Sequence, residues 1–109
     1  MNVFDKLRYE ADREVVDRLF HSPALRVERI ASQGQGTSFM VQEEDELVFL
    51  VRGEAIIEDA DRRLLEMEAG ELFYLPAGLR HRVKECSDDC LWLCFFFPPQ
   101  EGARFFNQN

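Results

Sequence analysis

The stretch "GELFYLPAGLRH", from Gly70 to His81, carries the strongest local signal in the chain. Five residues separate Gly70 from Pro76, one separates Pro76 from Gly78, and two separate Gly78 from His81. Pro76 presets φ for a tight turn, and Gly78 supplies a positive φ if the turn requires one. The sequence therefore predicts a turn after which the chain re-enters a strand at His81.

The residues after this turn alternate in character. Arg80, Arg82 and Lys84 share one face of the predicted strand, while His81 and Val83 share the other. The three cations prefer water, so His81 is expected to point inward beside Val83. The cations themselves are expected to form a solvated face.

An acidic run, "QEEDE", precedes the apolar strand "LVFLV". Glu46 shares its parity with Val48 and Leu50, so its side chain points inward if theirs is the face toward the barrel interior. The preceding Glu43 to Asp45 are interpreted as a solvated turn. If the two strands are neighbours, Glu46 and His81 come together.

The rest of the chain is typical of an all-β protein with one short N-terminal helix. Asp12 to Phe20, "DREVVDRLF", has apolar residues at helical spacing and is predicted to be that helix. Short apolar or alternating runs separated by turn signals then predict an antiparallel sandwich or barrel. These runs are Leu25–Ile30, Phe39–Val41, Leu47–Val51, Ala55–Glu58, Leu64–Met67, Leu72–Leu75, His81–Cys86 and Leu91–Phe97. We expect a single domain: a helical segment (1–24) packed on a barrel (25–97), followed by a tail (98–109).

These motifs resemble the two consensus motifs of the cupin superfamily. Gly36, Glu46 and Gly53 match part of the first motif, and the Gly70–His81 stretch matches the second. "RVERIASQGQ", "LPAGLRHRV" and "LWLCFFF" further resemble segments of small single-domain bacterial cupins of the conserved-barrel type. The resemblance covers roughly residues 26–97 and implies an antiparallel double-stranded β-helix, the jelly-roll barrel.

In metal-binding cupins the two motifs supply three histidines and a glutamate to one divalent ion. By this resemblance His81 and Glu46 match two ligands, but the first two histidines are absent. Their places fall on Met40 with Gln42, or on Phe39 with Val41, depending on the spacing variant. A degraded set of Gln42, Glu46 and His81 could hold a divalent metal only loosely. Alternatively, Glu46 and His81 form an acid–base pair.

Three hypotheses for function follow, in order of preference. The first is a small-molecule-binding or sensing cupin without a tight metal, whose pocket is lined by Met40, Gln42, Phe73, Trp92 and Phe95. The second is an enzyme of isomerase or dioxygenase type, metal-assisted or acid–base, that acts on a small polar metabolite through Glu46 and His81. The third is a structural dimer with a vestigial pocket.

Charge and apolar pattern predict the partners. Thirteen Lys and Arg against 21 Asp and Glu give a net charge of −8, which disfavours nucleic acid and anionic membrane surfaces. With no targeting signal, the expected location is the cytoplasm. "ELVFLV" and "LWLCFFF" are apolar on both faces, so a homodimer covering the second face is expected.

Three cysteines give no disulfide framework. Cys86 and Cys90 flank "SDD", which allows a cross-hairpin disulfide or a thiolate pair on a metal. A cytoplasmic location favours reduced thiols instead. Cys94 is interpreted as a buried apolar residue.

Overall fold

The computed structural model describes residues 1–106, and these form eight antiparallel strands. The tip of the predicted tail, residues 107–109, lies outside the described residues. The strands are β1 (Val15–Ser22), β2 (Leu25–Ser32), β3 (Asp45–Arg52), β4 (Glu54–Asp59), β5 (Leu64–Glu68), β6 (Leu72–Leu75), β7 (His81–Cys86) and β8 (Cys90–Phe97). They form a five-stranded sheet in the order β1-β2-β8-β3-β6 and a three-stranded sheet in the order β5-β4-β7.

The two sheets face each other across one apolar core. Val48, Leu50 and Trp92 enter it from the five-stranded sheet, and Ile57 and Met67 enter from the three-stranded sheet. Side chains alternate along a strand, so each of these strands gives every second residue to the core. This arrangement confirms the predicted all-β antiparallel class.

The predicted helix over Asp12–Phe20 is wrong, since no helix forms within residues 1–106. Residues 15–22 are β1, an edge strand that pairs with β2. The spacing of Val15, Val16, Leu19 and Phe20 fits a helix, but two adjacent β-branched residues also suit a strand. Pairing with β2 decides the outcome, because tertiary context overrides weak local propensity.

The N-terminal residues nevertheless pack on the outer face of the five-stranded sheet. Leu7 and Tyr9 contact a small buried cluster that includes Leu91. Arg29, 6% exposed, donates hydrogen bonds to the carbonyl oxygens of Val3 and Asp5, at 2.9 and 2.7 Å. It also forms an ion pair with the β1 carboxylate of Asp17 at 2.6 Å.

Most strand predictions agree with the structure to within two residues at either end, apart from Phe39–Val41. There only Met40 pairs, in an isolated bridge with His81. The Pro76–Gly78 turn is present, and Gly78 has the positive φ, 84°. Phe97 ends the last strand just before the Pro98–Pro99 pair, which cannot donate to a ladder.

Asp45 corrects the prediction of a solvated acidic turn. It is 2% exposed and opens β3. Its carboxylate accepts hydrogen bonds from the Tyr74 hydroxyl, the Ala77 N–H at 2.8 Å and the Gln100 N–H at 2.9 Å. These bonds hold the pKa of Asp45 below its usual range, with the Tyr74 bond as the main cause. Asp45 thereby joins β3 to β6, to the loop after β6 and to the tail.

Cys86 of β7 and Cys90 of β8 belong to different sheets, so they are not paired across a hairpin ladder, but their thiols lie close enough to share a hydrogen bond. Both are free thiols, as is Cys94. Within the described residues, no helix has the length and apolar character needed to cross a membrane.

Candidate functional site

A cavity of about 240 Å³ lies between the two sheets. Its apolar lining includes Ile30, Met40, Val48, Ile57, Leu75, Val83, Trp92 and Phe96. Its polar lining includes Glu14, Arg26, Glu28, Thr37, Gln42 and Glu46. A mostly apolar cleft with a few polar groups is the usual composition of a small-molecule site.

The wall on the five-stranded sheet is built from cross-strand rows. Glu46 of β3, Phe96 of β8 and Arg26 of β2 lie side by side in one row. Val48, Cys94 and Glu28 form the next row. Directly opposed residues on one face of an antiparallel sheet have Cβ atoms only about 5 Å apart, so each row presents a continuous strip of side chains to the cavity.

Glu46 is a buried carboxyl group in this wall. It is 5% exposed and lies between Leu75 and Phe96 of the neighbouring strands. Burial raises the pKa of Glu46 above its ordinary value. Hydrogen bonding with the Cys94 thiol and Gln42, and the nearby His81, offset this rise only in part. Glu46 is thus a carboxyl group that can exchange a proton closer to neutrality than an exposed one.

His81 lies beside the cavity and does not line it. It is 5% exposed, and its backbone bridges to Met40, which does line the cavity. The ring Nδ1 is 3.0 Å from the carbonyl oxygen of Leu79. A carbonyl oxygen only accepts, so we assign the hydrogen to Nδ1, which leaves Nε2 for another partner.

Some of the predicted site residues lie at the cavity and others lie elsewhere. Met40, Gln42, Glu46 and Trp92 line the cavity together, and His81 is adjacent. The inward orientation that strand parity predicts for Glu46 and His81 agrees with their burial.

Phe73 and Phe95 do not line the cavity, contrary to the prediction. Phe95 lies opposite Leu47 and Val27, on the outer face of the sheet. Phe73 packs on the core from the edge strand β6. Every residue of "LWLCFFF" is apolar, so its pattern does not reveal which parity faces inward.

Sequence reasoning missed Arg26, Glu28 and Phe96. Arg26 and Glu28 share their parity with Ile30 in the alternating strand "LRVERI", which was a usable signal. The usual assumption assigns charged residues of such a strand to solvent. Here they line the inside of the barrel, and Arg26 forms ion pairs with Glu28 at 3.1 Å and Glu44 at 2.9 Å.

The donor set does not fit a metal centre. Glu46 and His81 are strong ligands, but Gln42 offers only a neutral carbonyl oxygen. Residues 1–106 contain no group of three His, Cys, Asp or Glu side chains placed to hold an ion. Structural and catalytic zinc sites normally use three or four such ligands. Loose binding of a divalent metal ion by Gln42, Glu46 and His81 stays a prediction.

The fold and site define a small β-barrel protein with an internal pocket. A family model and several solved structures agree with this fold. The cupin domain family model matches residues 26–96, and this chain belongs to that family. None of the curated proteins compared with the chain matches it.

Several solved structures share the fold. A candidate mannose-6-phosphate isomerase from Ralstonia eutropha is 30% identical, with a TM-score of 0.82 over 90% of this chain and 96% of that one. An RmlC-like cupin from Desulfovibrio desulfuricans is 17% identical, with a TM-score of 0.80 over 92% and 96%. The DMSP lyase DddQ from Ruegeria pomeroyi is 19% identical, with a TM-score of 0.72 over 84% of this chain and 50% of that one.

Proposed function

We propose that this protein binds a small metabolite in the barrel cavity and carries no tightly bound metal ion. The observation that supports this most directly is the cavity itself. It combines an apolar wall with a few polar groups at fixed positions, notably Glu46, Gln42 and Glu28. Its volume of about 240 Å³ lies below the roughly 300–1,000 Å³ of most ligand pockets, so we expect a small ligand.

Trp92 gives a direct test of binding. It is the only tryptophan in the chain, and it lines the cavity. A metabolite that enters the cavity is expected to change its fluorescence in a saturable way. If no compound in a broad metabolite set changes the fluorescence of Trp92, the binding function is contradicted.

Elemental analysis tests the metal-free part of the proposal. The protein is purified without chelators or a histidine tag, alongside His81→Ala and His21→Ala. The chain has only these two histidines, and His21 is exposed on β1, so it serves as the matched control. We expect less than stoichiometric metal in all three samples. Stoichiometric metal that disappears only in His81→Ala would contradict the proposal.

An acid–base enzyme is the second candidate, and one observation favours it. Glu46 has a raised pKa and lies near His81. Such a pair can move a proton to and from a bound metabolite, as isomerases require. Compounds that bind would then be consumed by the wild-type protein and not by Glu46→Gln. Binding without turnover of any bound compound would favour the sensing role.

We also propose that the chain forms a homodimer through the outer face of the five-stranded sheet. Val27, Leu47, Phe49, Leu93 and Phe95 lie on this face, and all five are only half-buried. The N-terminal residues pack over a different part of the face, around Leu91. A second copy would remove the remaining apolar surface from water.

A further inference from the structure

Trp92 carries a buried hydrogen-bond donor without an acceptor. Its side chain is 3% exposed and lines the cavity, in a cross-strand row with Leu50 of β3 and Ile30 of β2. Within residues 1–106, the Trp92 Nε1–H is the one buried side-chain nitrogen or oxygen that has no hydrogen-bond partner. Leu50 and Ile30 have no side-chain acceptor to offer it. Because an unpaired buried donor costs free energy, folded proteins almost always pair such a group.

The acceptor groups of the cavity lining are engaged with other partners. These partners are the Ser32 hydroxyl for Glu14 (3.1 Å), the Arg26 Nε for Glu28 (3.1 Å), the Val83 N–H for Thr37 (3.0 Å), and the Cys94 thiol and Gln42 for Glu46. None of these acceptors is a partner of the Trp92 Nε1–H. A molecule that enters the cavity is therefore the source from which this donor can gain its acceptor.

The charges of the lining decide which kind of acceptor fits. Glu14 and Glu28 outnumber Arg26, the one cation among the described lining residues, and Arg26 already donates to Glu28 and Glu44. A carboxylate or phosphate group would meet an excess of negative charge and an occupied guanidinium. An ammonium group has only donors, so it cannot pair with another donor. The acceptor that suits Trp92 is therefore uncharged.

A carbonyl oxygen suits the surroundings of Trp92 better than a hydroxyl group does. A hydroxyl group can accept from Trp92, but it brings a hydrogen that needs an acceptor of its own. Ile30 lies beside Trp92 in its row, and Ile57 and Val83 supply apolar lining from the three-stranded sheet. A hydroxyl hydrogen among these side chains would replace one unpaired donor with another, whereas a carbonyl oxygen leaves none.

We propose that the ligand is a small uncharged molecule with a carbonyl group, whose oxygen accepts a hydrogen bond from the Nε1–H of Trp92. Its apolar part lies against Val48, Ile57 and Val83. This inference rests on the proposed small-molecule function, and it specifies the class of ligand and the residue that recognises it.

The indole N–H signal of Trp92 tests the hydrogen bond in the wild-type protein. Trp92 is the only tryptophan in the chain, so its indole N–H gives a single signal in a proton–nitrogen correlation spectrum. The proton of an N–H group moves downfield when it donates to a carbonyl oxygen. We expect cyclohexanone to move this signal downfield in a saturable way, together with the backbone amide signals of residues that line the cavity.

Three probes built on one carbon ring test the choice of acceptor. Cyclohexanone, cyclohexanol and cyclohexanecarboxylate are titrated at pH 7, and their dissociation constants are taken from the backbone amide signals. We expect cyclohexanone to bind at least about threefold more tightly than cyclohexanol, whose hydroxyl hydrogen is left unpaired. It should bind at least about tenfold more tightly than the carboxylate, which the acidic lining repels.

Two variants locate the preference for the ketone. Trp92→Phe removes the donor and keeps an aromatic ring, so we expect it to weaken binding of cyclohexanone by about threefold to tenfold. The difference between the ketone and the alcohol should then largely disappear. Ile57→Val is the control, because it trims the lining without changing a polar group. It should affect both probes equally and keep the preference.

The outcomes separate this inference from the function on which it rests. If the alcohol or the carboxylate binds as tightly as cyclohexanone, or if the indole signal stays in place while the ketone binds, the inference is refuted and the cavity remains a binding site. The indole signal is read in the wild-type protein, so this outcome does not depend on the folding of Trp92→Phe. A preference that persists in Trp92→Phe would refute the role of Trp92. If no probe moves any signal, both the inference and the proposed binding function are contradicted.

Discussion

Glu46 is a carboxylic acid held where water would normally be excluded. Its neighbours across the sheet are Leu75 and Phe96, and it is 5% exposed. A protein built only for stability would gain from an uncharged residue here, because burying a charge without a full partner costs free energy. Groups that are kept despite such a cost are typical of binding and catalytic sites.

Glu46→Gln is therefore expected to stabilise the protein at neutral pH, by on the order of 1 kcal/mol. Since burial raises the folded-state pKa of Glu46, its favourable contribution is present below its ordinary pKa and is lost as pH rises through the raised value. The gain in the variant should consequently vanish near pH 4. Urea denaturation at pH 7 and near pH 4 measures this gain in the free energy of unfolding. The control is Glu43→Gln, which changes an exposed residue. A variant less stable than wild type at pH 7 would contradict this account.

The pKa of Asp45 is shifted in the opposite direction to that of Glu46, so its contribution to stability depends on pH in the opposite sense. Its hydrogen bonds, chiefly from Tyr74, lower its folded-state pKa. Its stabilising contribution is thus present above its ordinary pKa and is lost as pH falls through the lowered value, below about pH 4. Asp45→Asn should be less stable than wild type at pH 7, and the difference should shrink below pH 4.

Tyr74→Phe tests the same hydrogen bond from the donor side, because it removes the hydroxyl group that donates to Asp45. We expect a loss of about 1–2 kcal/mol in the free energy of unfolding at pH 7. The same bond raises the pKa of Tyr74 to about 12. Its contribution should accordingly persist to about pH 10 and be lost between pH 10 and 12. A pH-independent difference between Tyr74→Phe and wild type would contradict this linkage.

At the scale of elements, the strands were largely predictable and the N-terminal one was not. β6 and β7 have the bounds that their apolar runs and flanking turns predict. The residues of β1 fit a helix and a strand about equally well, and only pairing with β2 decides between them. Local pattern contains no information about a partner strand, so this error could not be avoided from the sequence alone.

At the site, too, strand parity placed some residues correctly and others wrongly. The inward position of His81 was predictable because cations and apolar residues alternate after it. That of Glu46 needed the motif resemblance as well, because "ELVFLV" is apolar on both faces. Phe95 was misplaced, since a strand that is apolar on both faces has no readable inner face. Arg26 and Glu28 were missed because polar residues inside a barrel break the usual assignment of polar residues to solvent.

Arg29 tests the packing of the N-terminal residues on the barrel. Arg29→Ala leaves two carbonyl groups and Asp17 without their donor, so we expect a loss of about 2–4 kcal/mol in the free energy of unfolding. Hydrogen exchange should also quicken over residues 3–9. Arg18→Ala, on the exposed side of β1, is the control and should have little effect. Unchanged exchange in Arg29→Ala would show that the segment is held by other contacts.

At the scale of the whole molecule, the outer sheet face predicts the oligomeric state. Light scattering of the wild-type protein at micromolar concentration should give the mass of a dimer. Phe95→Glu places a charge at the centre of the apolar face and should give a monomer. Leu64→Glu, on the three-stranded sheet, should remain a dimer. A monomeric wild-type protein would refute the homodimer.

The central claim is that the cavity between the sheets binds a small metabolite. The most direct test compares the melting temperatures of wild type and Val83→Phe, in which a larger side chain occupies the cavity, across one metabolite set. A ligand raises the melting temperature only by binding the folded state more tightly than the unfolded state. We predict at least one compound that raises the melting temperature of wild type and leaves Val83→Phe unchanged. Shifts that are equal in both proteins, or absent from both, would contradict the claim.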